Sequence, residues 1–325
     1  MRTRPPRKRS PRLALVTAGA ALAVTAALVA PQSAGAAETS PVGFGAGTTG
    51  GGSAAAVTVT TLNAFKAAVT GNSAKVVKVN GLISLSGQVD IGSNTTVLGV
   101  GSASGFTGGG LRLKKVTNVV VRNLNISKPV APADGITVQA STKVWIDHNA
   151  FSSDRDHGKD YYDGLLDITH ASDYVTVSWN TFKDHYKGSL VGHSDSNSSE
   201  DTGHLRVTYH HNWFNNINFR IPSLRFGTGH FYDNYVVGAD TAVHSRMGAQ
   251  MLVENNVFRS TAVAVTTNRD SDVDGYANLT GNDLGGAATE ISRVGTFTKP
   301  PYSYAAEPAS TVVASVTSGA GAGKP

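Results

Sequence analysis

The chain has 325 residues, no cysteine, and 28 Lys+Arg against 23 Asp+Glu, for a formal charge of +5. The lack of cysteine excludes a disulfide scaffold, an iron–sulfur or zinc-thiolate site and a cysteine nucleophile, so stability must come from packing. With 36 Gly and 16% charged residues, the composition suits strands and turns.

The basic balance would suggest nucleic acid or an anionic surface, but it is confined to the start of the chain. Arg2, Arg4, Arg7, Lys8, Arg9 and Arg12 precede an uncharged apolar stretch over 13–30, and Ala34-Gly35-Ala36 supplies small residues suited to cleavage. This is the pattern of a secretory signal. A retained membrane anchor is the competing reading, because 18 residues is near the minimum spanning length; the Ala and Gly content and the cleavage site argue against it. Cleavage after residue 36 removes six of the 28 basic residues and no acidic one, leaving 22 against 23 and a net charge of −1. Residues 1–36 are therefore expected to be an export signal and 37–325 one secreted domain. It is expected to be a monomer, with no nucleic-acid partner and no membrane attachment after cleavage.

Residues 41–55 and 319–324 are rich in Gly, Ala, Ser and Thr and read as irregular arms. A short helix is predicted over 61–69, where Thr61 can cap, Leu62, Phe65 and Val69 recur at helical spacing, and Gly71 can stop it. It is placed to cap the strands that follow.

Beyond it the chain repeats. Val119-Val-Val-Arg-Asn-Leu-Asn-Ile126, Val144-Trp-Ile-Asp-His-Asn-Ala-Phe151, Val175-Thr-Val-Ser-Trp-Asn-Thr-Phe182 and Val207-Thr-Tyr-His-His-Asn-Trp-Phe214 superimpose without gaps. Shorter copies follow at 230–236 and 251–258. Asn149, Asn180, Asn212, Asn234 and Asn256 recur at spacings of 31, 32, 22 and 22 residues, with Leu124 in the matching place of the first copy. A period in the low twenties with additions in two copies predicts a solenoid. The fold expected is all-β, a right-handed single-stranded parallel β-helix, since parallel crossovers are overwhelmingly right-handed. A propeller or sandwich fits less well, because the repeats are too short for blades and lack hairpin signals. The corner Asn is expected to accept a left-handed backbone and to bond its counterpart one coil above.

The two long connections, over 152–173 and 183–206, bracket the chemistry, because solenoid insertions gather on a binding face. Asp134, Asp163 and Asp167 are candidate ligands of a hard cation such as Ca²⁺, which takes oxygen donors; solvated turn aspartates are the alternative. Asp163 and Asp167 would lie about 13 Å apart on a straight strand, so the chain must bend at Gly164. Lys187, Arg220 and Arg225 fall on the coils that follow and extend the stripe toward an anionic substrate. Asp154, Asp156 and Asp160 suggest either an extra calcium loop or, better, a solvated insertion. Zinc at His210 and His211 is disfavoured, since neighbours on a regular strand face opposite sides.

Trp145-Ile-Asp-His148, Asp163-Gly-Leu-Leu-Asp-Ile168, the segment 172–180, His210-His-Asn212 and Arg220-Ile-Pro-Ser-Leu-Arg-Phe-Gly227 together resemble the motifs of the extracellular pectate lyases of polysaccharide lyase family 1, and 93–99 resembles an earlier family segment. The likeness runs from about Gly43 to the C-terminus. It implies a right-handed parallel β-helix that cleaves polygalacturonate by calcium-dependent β-elimination. By position it makes Asp134, Asp163 and Asp167 the calcium ligands, Arg220 the proposed base, and Lys187 and Arg225 binders of substrate carboxylates. Pro132 departs from the acidic residue some members carry two positions before Asp134.

A pectin lyase acting on methyl-esterified polymer would leave the three aspartates without purpose. A hydrolase of the same architecture would need an acid/base carboxylate pair and leaves Arg220 and Arg225 unexplained. A non-catalytic polysaccharide-binding β-helix does not account for Lys187 and Arg220 clustering with the aspartates.

Overall fold

The computed structural model describes residues 1–3 and 38–325. Apart from residues 1–3, the signal expected over 1–36 lies outside the described residues. Among these, no helix is long and apolar enough to cross a membrane.

The chain from Glu38 onward winds into a parallel β-solenoid whose strands line up in three sheets of ten, nine and eight strands. One coil shows the pattern. Asp173–Ser178 joins the ten-stranded sheet, Thr181–Lys187 the eight-stranded sheet and Ser189–Val191 the nine-stranded sheet, before Arg206–His210 returns to the first. Each strand pairs in parallel with its equivalents on the coils above and below. Side chains alternate across a strand, so every second residue points into the coil and repeats one coil higher. Phe151, Phe182 and Phe214 form such a column, with ring centroids 4.8 and 4.6 Å apart and planes within 8°. Each is fully buried, worth about 1.5–3 kcal/mol of apolar transfer.

The predicted asparagine column exists and is longer than expected. Asn149, Asn180, Asn212 and Asn234 each donate Nδ2–H to the Oδ1 of the next at 3.0 Å, and Asn256 continues to Asn282 at 2.9 Å. The left-handed residue is not the ladder Asn. It is the one before: Asn123 (φ 60°), His148 (51°), Trp179 (54°), His211 (54°), Asp233 (52°) and Asn255 (50°). The turn is thus made one position earlier, and the amide closes it from inside.

The expected helix is Leu62–Val69, capped by Thr61 Oγ1 accepting from Ala64 N at 3.3 Å. It buries Phe65 and Val69 over the first coils, with Phe65 against Phe106 at 4.7 Å. A C-terminal helix, Ala309–Gly319, was not anticipated, nor was the short Ser198–Asp201; Val312 and Val316 of the former pack with Trp179 and Val257. The expected irregular arm at 41–55 has no regular structure, yet it is packed. It runs across the ten-stranded sheet, where Phe44 N bonds Thr208 Oγ1, Gly45 N bonds Thr176 Oγ1 and Gly51 N bonds Thr96 Oγ1, each at 3.0 Å. A Cβ at Gly43 or Gly45 would run into Thr208 or Thr176. Glycine here is what lets a backbone lie flat on the sheet.

Candidate active site

The outer face of the nine-stranded sheet is the floor of the site. Thr137, Asp167, Leu190, Ser223 and His244 stand in register on five consecutive coils. The two insertions leave from opposite ends of these strands. One spans 153–165, between the eight- and nine-stranded sheets; the other spans 192–205, between the nine- and ten-stranded sheets. The predicted site residues all fall on or beside this floor.

The three aspartates converge on Gly164, as the bend required. Its N–H donates to both Asp134 Oδ1 and Asp163 Oδ1 at 3.0 Å. A Cβ added there would meet Asp167 Oδ1 at 2.5 Å and Asp134 Oδ1 at 3.0 Å. Asp134 Oδ2 also accepts from Thr137 Oγ1 at 2.7 Å, and Asp167 Oδ1 from Leu190 N at 3.2 Å. Burial, then the charge of Asp167, pushes the Asp134 carboxyl up to about 8. Burial raises Asp167 to about 6 against the pull of the Arg220 guanidinium. Two partly or fully buried carboxylates side by side repel unless a cation compensates them.

Asp163 is engaged elsewhere. Its Oδ1 accepts from Lys187 Nζ at 3.0 Å, and the same ammonium stands 3.4 Å from Asp160 Oδ1. Lys187 is buried and paired, where the sequence suggested a cation in a stripe turned toward an anionic substrate. Among the described residues no three His, Asp or Glu groups stand close enough to enclose a metal ion as they are placed.

Arg220 lies between strand Trp213–Phe219 and strand Ser223–Arg225, with a left-handed backbone (φ 63°) and its carbonyl accepting Ser189 N at 2.7 Å. Its charge reaches Asp167 and favours that carboxylate, its guanidinium lies 6.0 Å from the Phe219 ring centre, and among the described residues its side chain has no hydrogen bond or ion pair. Arg225 closes the same strand and is buried. Its Nε donates to Asp195 and its Nη1 to Gly192 O at 2.8 Å. On the next coil Arg246 stands in register with Arg225 and 3.5 Å from Asp195 Oδ1. Sequence reasoning missed Asp195 and Arg246. Arg246 was within reach, one coil repeat after Arg225; Asp195 sits in an insertion where no period applies.

Two secondary expectations are settled differently. His210 and His211 do not face opposite sides: the left-handed turn at His211 brings the two Nδ1 atoms to 3.0 Å. His210 is fully buried, which pushes its pKa well below the ordinary value. The 153–165 insertion is organised by Asp154 itself, whose oxygens take His157 Nδ1 at 2.7 Å, Tyr162 Oη at 3.0 Å and Lys128 Nζ at 3.1 Å, leaving that carboxylate already satisfied.

The chain is similar to known proteins over most of its length. The pectate lyase family model matches residues 10–325. Probable pectate lyase A of Aspergillus fumigatus is 50% identical over 260 residues, 79% of this chain and 79% of that protein. Pectate lyase B of Colletotrichum gloeosporioides is 50% identical over 283 residues, 86% and 85% of the two chains. Among solved structures, a pectate lyase from Bacillus sp. N165 in complex with trigalacturonate aligns with a TM-score of 0.80 at 33% identity, covering 87% of this chain and 99% of that one.

Proposed function

The chain belongs to the pectate lyase family, and we propose that it is a secreted, calcium-dependent pectate lyase cleaving α-1,4-linked polygalacturonate by β-elimination. The observation that carries the assignment to this face is the alignment, on consecutive coils, of three carboxylates at Gly164 with Lys187, Arg220 and Arg225.

The donor set fits a hard divalent cation: carboxylate oxygens only, two of them raised in pKa chiefly by burial, around a glycine whose missing Cβ leaves room. Asp134, Asp163 and Asp167 would hold calcium, which when bound supplies positive charge to a uronate carboxylate. Asp163 supports this only by leaving Lys187, so substrate and cation binding are coupled through that pair.

In a 4-linked galacturonate the proton on C5 is α to the C6 carboxylate, whose charge opposes its removal. Lys187 and Arg225 would bind uronate carboxylates and stabilise the enolate-like charge that develops. Arg220, whose side chain has no hydrogen bond among the described residues, would take the proton from C5 as the neutral guanidine. The C5–H electrons form the C4–C5 double bond as the C4–O bond breaks, and the departing oxygen is protonated by solvent. No water is added across the bond. A guanidinium normally keeps its proton up to about pH 12, so the base role requires both alkaline working conditions and nearby cations that lower that value.

The test is the product. Purified protein acting on polygalacturonate is expected to generate the ultraviolet absorbance of a conjugated unsaturated uronide, abolished by a chelator and restored by Ca²⁺. Reducing ends without that absorbance would mean hydrolysis; activity on methyl-esterified polymer that ignores the chelator would mean a pectin lyase.

A further inference from the structure

The carboxylate of Asp195 sits between two guanidinium groups on adjacent coils: it takes Nε of Arg225 and lies 3.5 Å from Arg246 Nη2. Arg225 and Arg246 are register partners at the C-terminal ends of adjacent strands of the nine-stranded sheet and only 9% exposed each, so they repel at short range. Arg246 is tied down independently, through Ser271 Oγ at 2.5 Å and Asp270 O. Arg225 is held by Asp195 and by Gly192 O, and both holders belong to the 192–205 segment that forms the second wall of the groove.

We propose that Asp195 is a positioning residue for recognition of the substrate carboxylate. This rests on the lyase assignment above. A guanidinium offers five N–H donors in a rigid fork. With Nε and one Nη1 proton committed to the wall, rotation about the last side-chain bonds is blocked and the Nη2 edge is presented before substrate arrives. A uronate carboxylate then meets a pre-oriented donor and avoids the ordering cost of a long side chain. Asp195 also offsets part of the Arg225–Arg246 repulsion and lowers the net charge at that end of the groove. Positioning and charge reduction make opposite predictions for affinity, which is what makes the role testable.

The experiment compares Asp195→Ala, Asp195→Asn and the parent protein on polygalacturonate, with trigalacturonate calorimetry in Ca²⁺ carried out in an Arg220→Ala background that should not turn over. Loss of the clamp in Asp195→Ala is expected to raise KM and the trigalacturonate Kd by roughly tenfold, the scale of one charge-assisted contact, a larger change than in kcat. Asp195→Asn, which keeps an acceptor oxygen, should recover most of the affinity. Tighter binding in both variants would show that Asp195 acts only as a repelling charge, and unchanged binding that it does nothing; either overturns the proposal. So does a joint fall of kcat and melting temperature, which marks a structural role. If the parent protein forms no unsaturated product, the lyase assignment fails, while the isotherms still decide the role of Asp195.

Discussion

Lys187 Nζ lies 3.0 Å from Asp163 Oδ1, joining the group expected to bind substrate to one expected to bind the cation. The pair couples two halves of the site that the sequence treated as separate. Replacing Lys187 by Met should free Asp163 and remove a positive charge from the cation site. Calcium titration should then show half-saturation at roughly threefold lower concentration, while KM for polygalacturonate rises about tenfold. Equal calcium affinity in the two proteins would mean that the ion does not use Asp163.

Gly164 tests the space between the carboxylates. Its φ is not left-handed, so Gly164→Ala asks little of the backbone, yet the new Cβ would press on Asp167 Oδ1 and Asp134 Oδ1. Turnover is expected to fall more than about tenfold, with a stability loss of about 1 kcal/mol or less. Circular dichroism melts beside the absorbance assay separate the two effects. A variant of normal activity would remove Asp134 and Asp167 from any shared ion.

The ladder makes a stability prediction without a catalytic one. Asn212 Nδ2 donates to Val177 O, His210 O and Asn234 Oδ1, and its Oδ1 accepts the Asn180 backbone N–H and Nδ2. Asn212→Ala orphans several fully buried groups and should cost about 3 kcal/mol or more in denaturant unfolding. KM and kcat below the transition should stay close to those of the parent.

A pH dependence follows from the packed N-terminal arm. Burial pushes the Glu38 carboxyl up to about 7 from an ordinary 4.5. Below 4.5 both the folded and unfolded chains hold the proton and burial of Glu38 carries no electrostatic penalty. Above about 7 the folded chain must bury a charge that the unfolded chain exposes to water, so this group withdraws stability progressively between those limits. Asp233, raised by burial to about 8, acts in the same direction over a wider window. Glu38→Gln should match the parent in melting temperature at pH 4.5 and exceed it at pH 8. A constant difference between the two proteins across that range would show that Glu38 does not titrate in this window.

Much of the molecule was legible because a solenoid writes its period into the chain. The recurring Asn, the inward Phe column and the helix Leu62–Val69 are consequences of local geometry repeated coil after coil. The same register set Asp167 and Arg225 on the nine-stranded sheet, whereas Asp134, Asp163 and Arg220 stand just outside its strands and Lys187 ends a strand of the eight-stranded sheet. A signal for Ala309–Gly319 was also present, in Val312 and Val316 four residues apart behind Pro308, but no element was expected there and an irregular arm was placed only over 319–324.

The tertiary structure decided what no period encodes. Asp195 meets Arg225 across 30 residues, and Asp163 turns to Lys187 across 24, both through insertions free of the repeat. The arm at 41–55 gains its partners on strands up to 164 residues away, and only the sheet beneath explains its glycines. His210 and His211 meet because a left-handed residue ends the strand, where alternation along the chain predicted separation. Periodic contacts cost one choice repeated many times and so leave a pattern in the sequence. A contact made once, between distant segments, leaves only its two residues, and their pairing is set by where the folded coils place them.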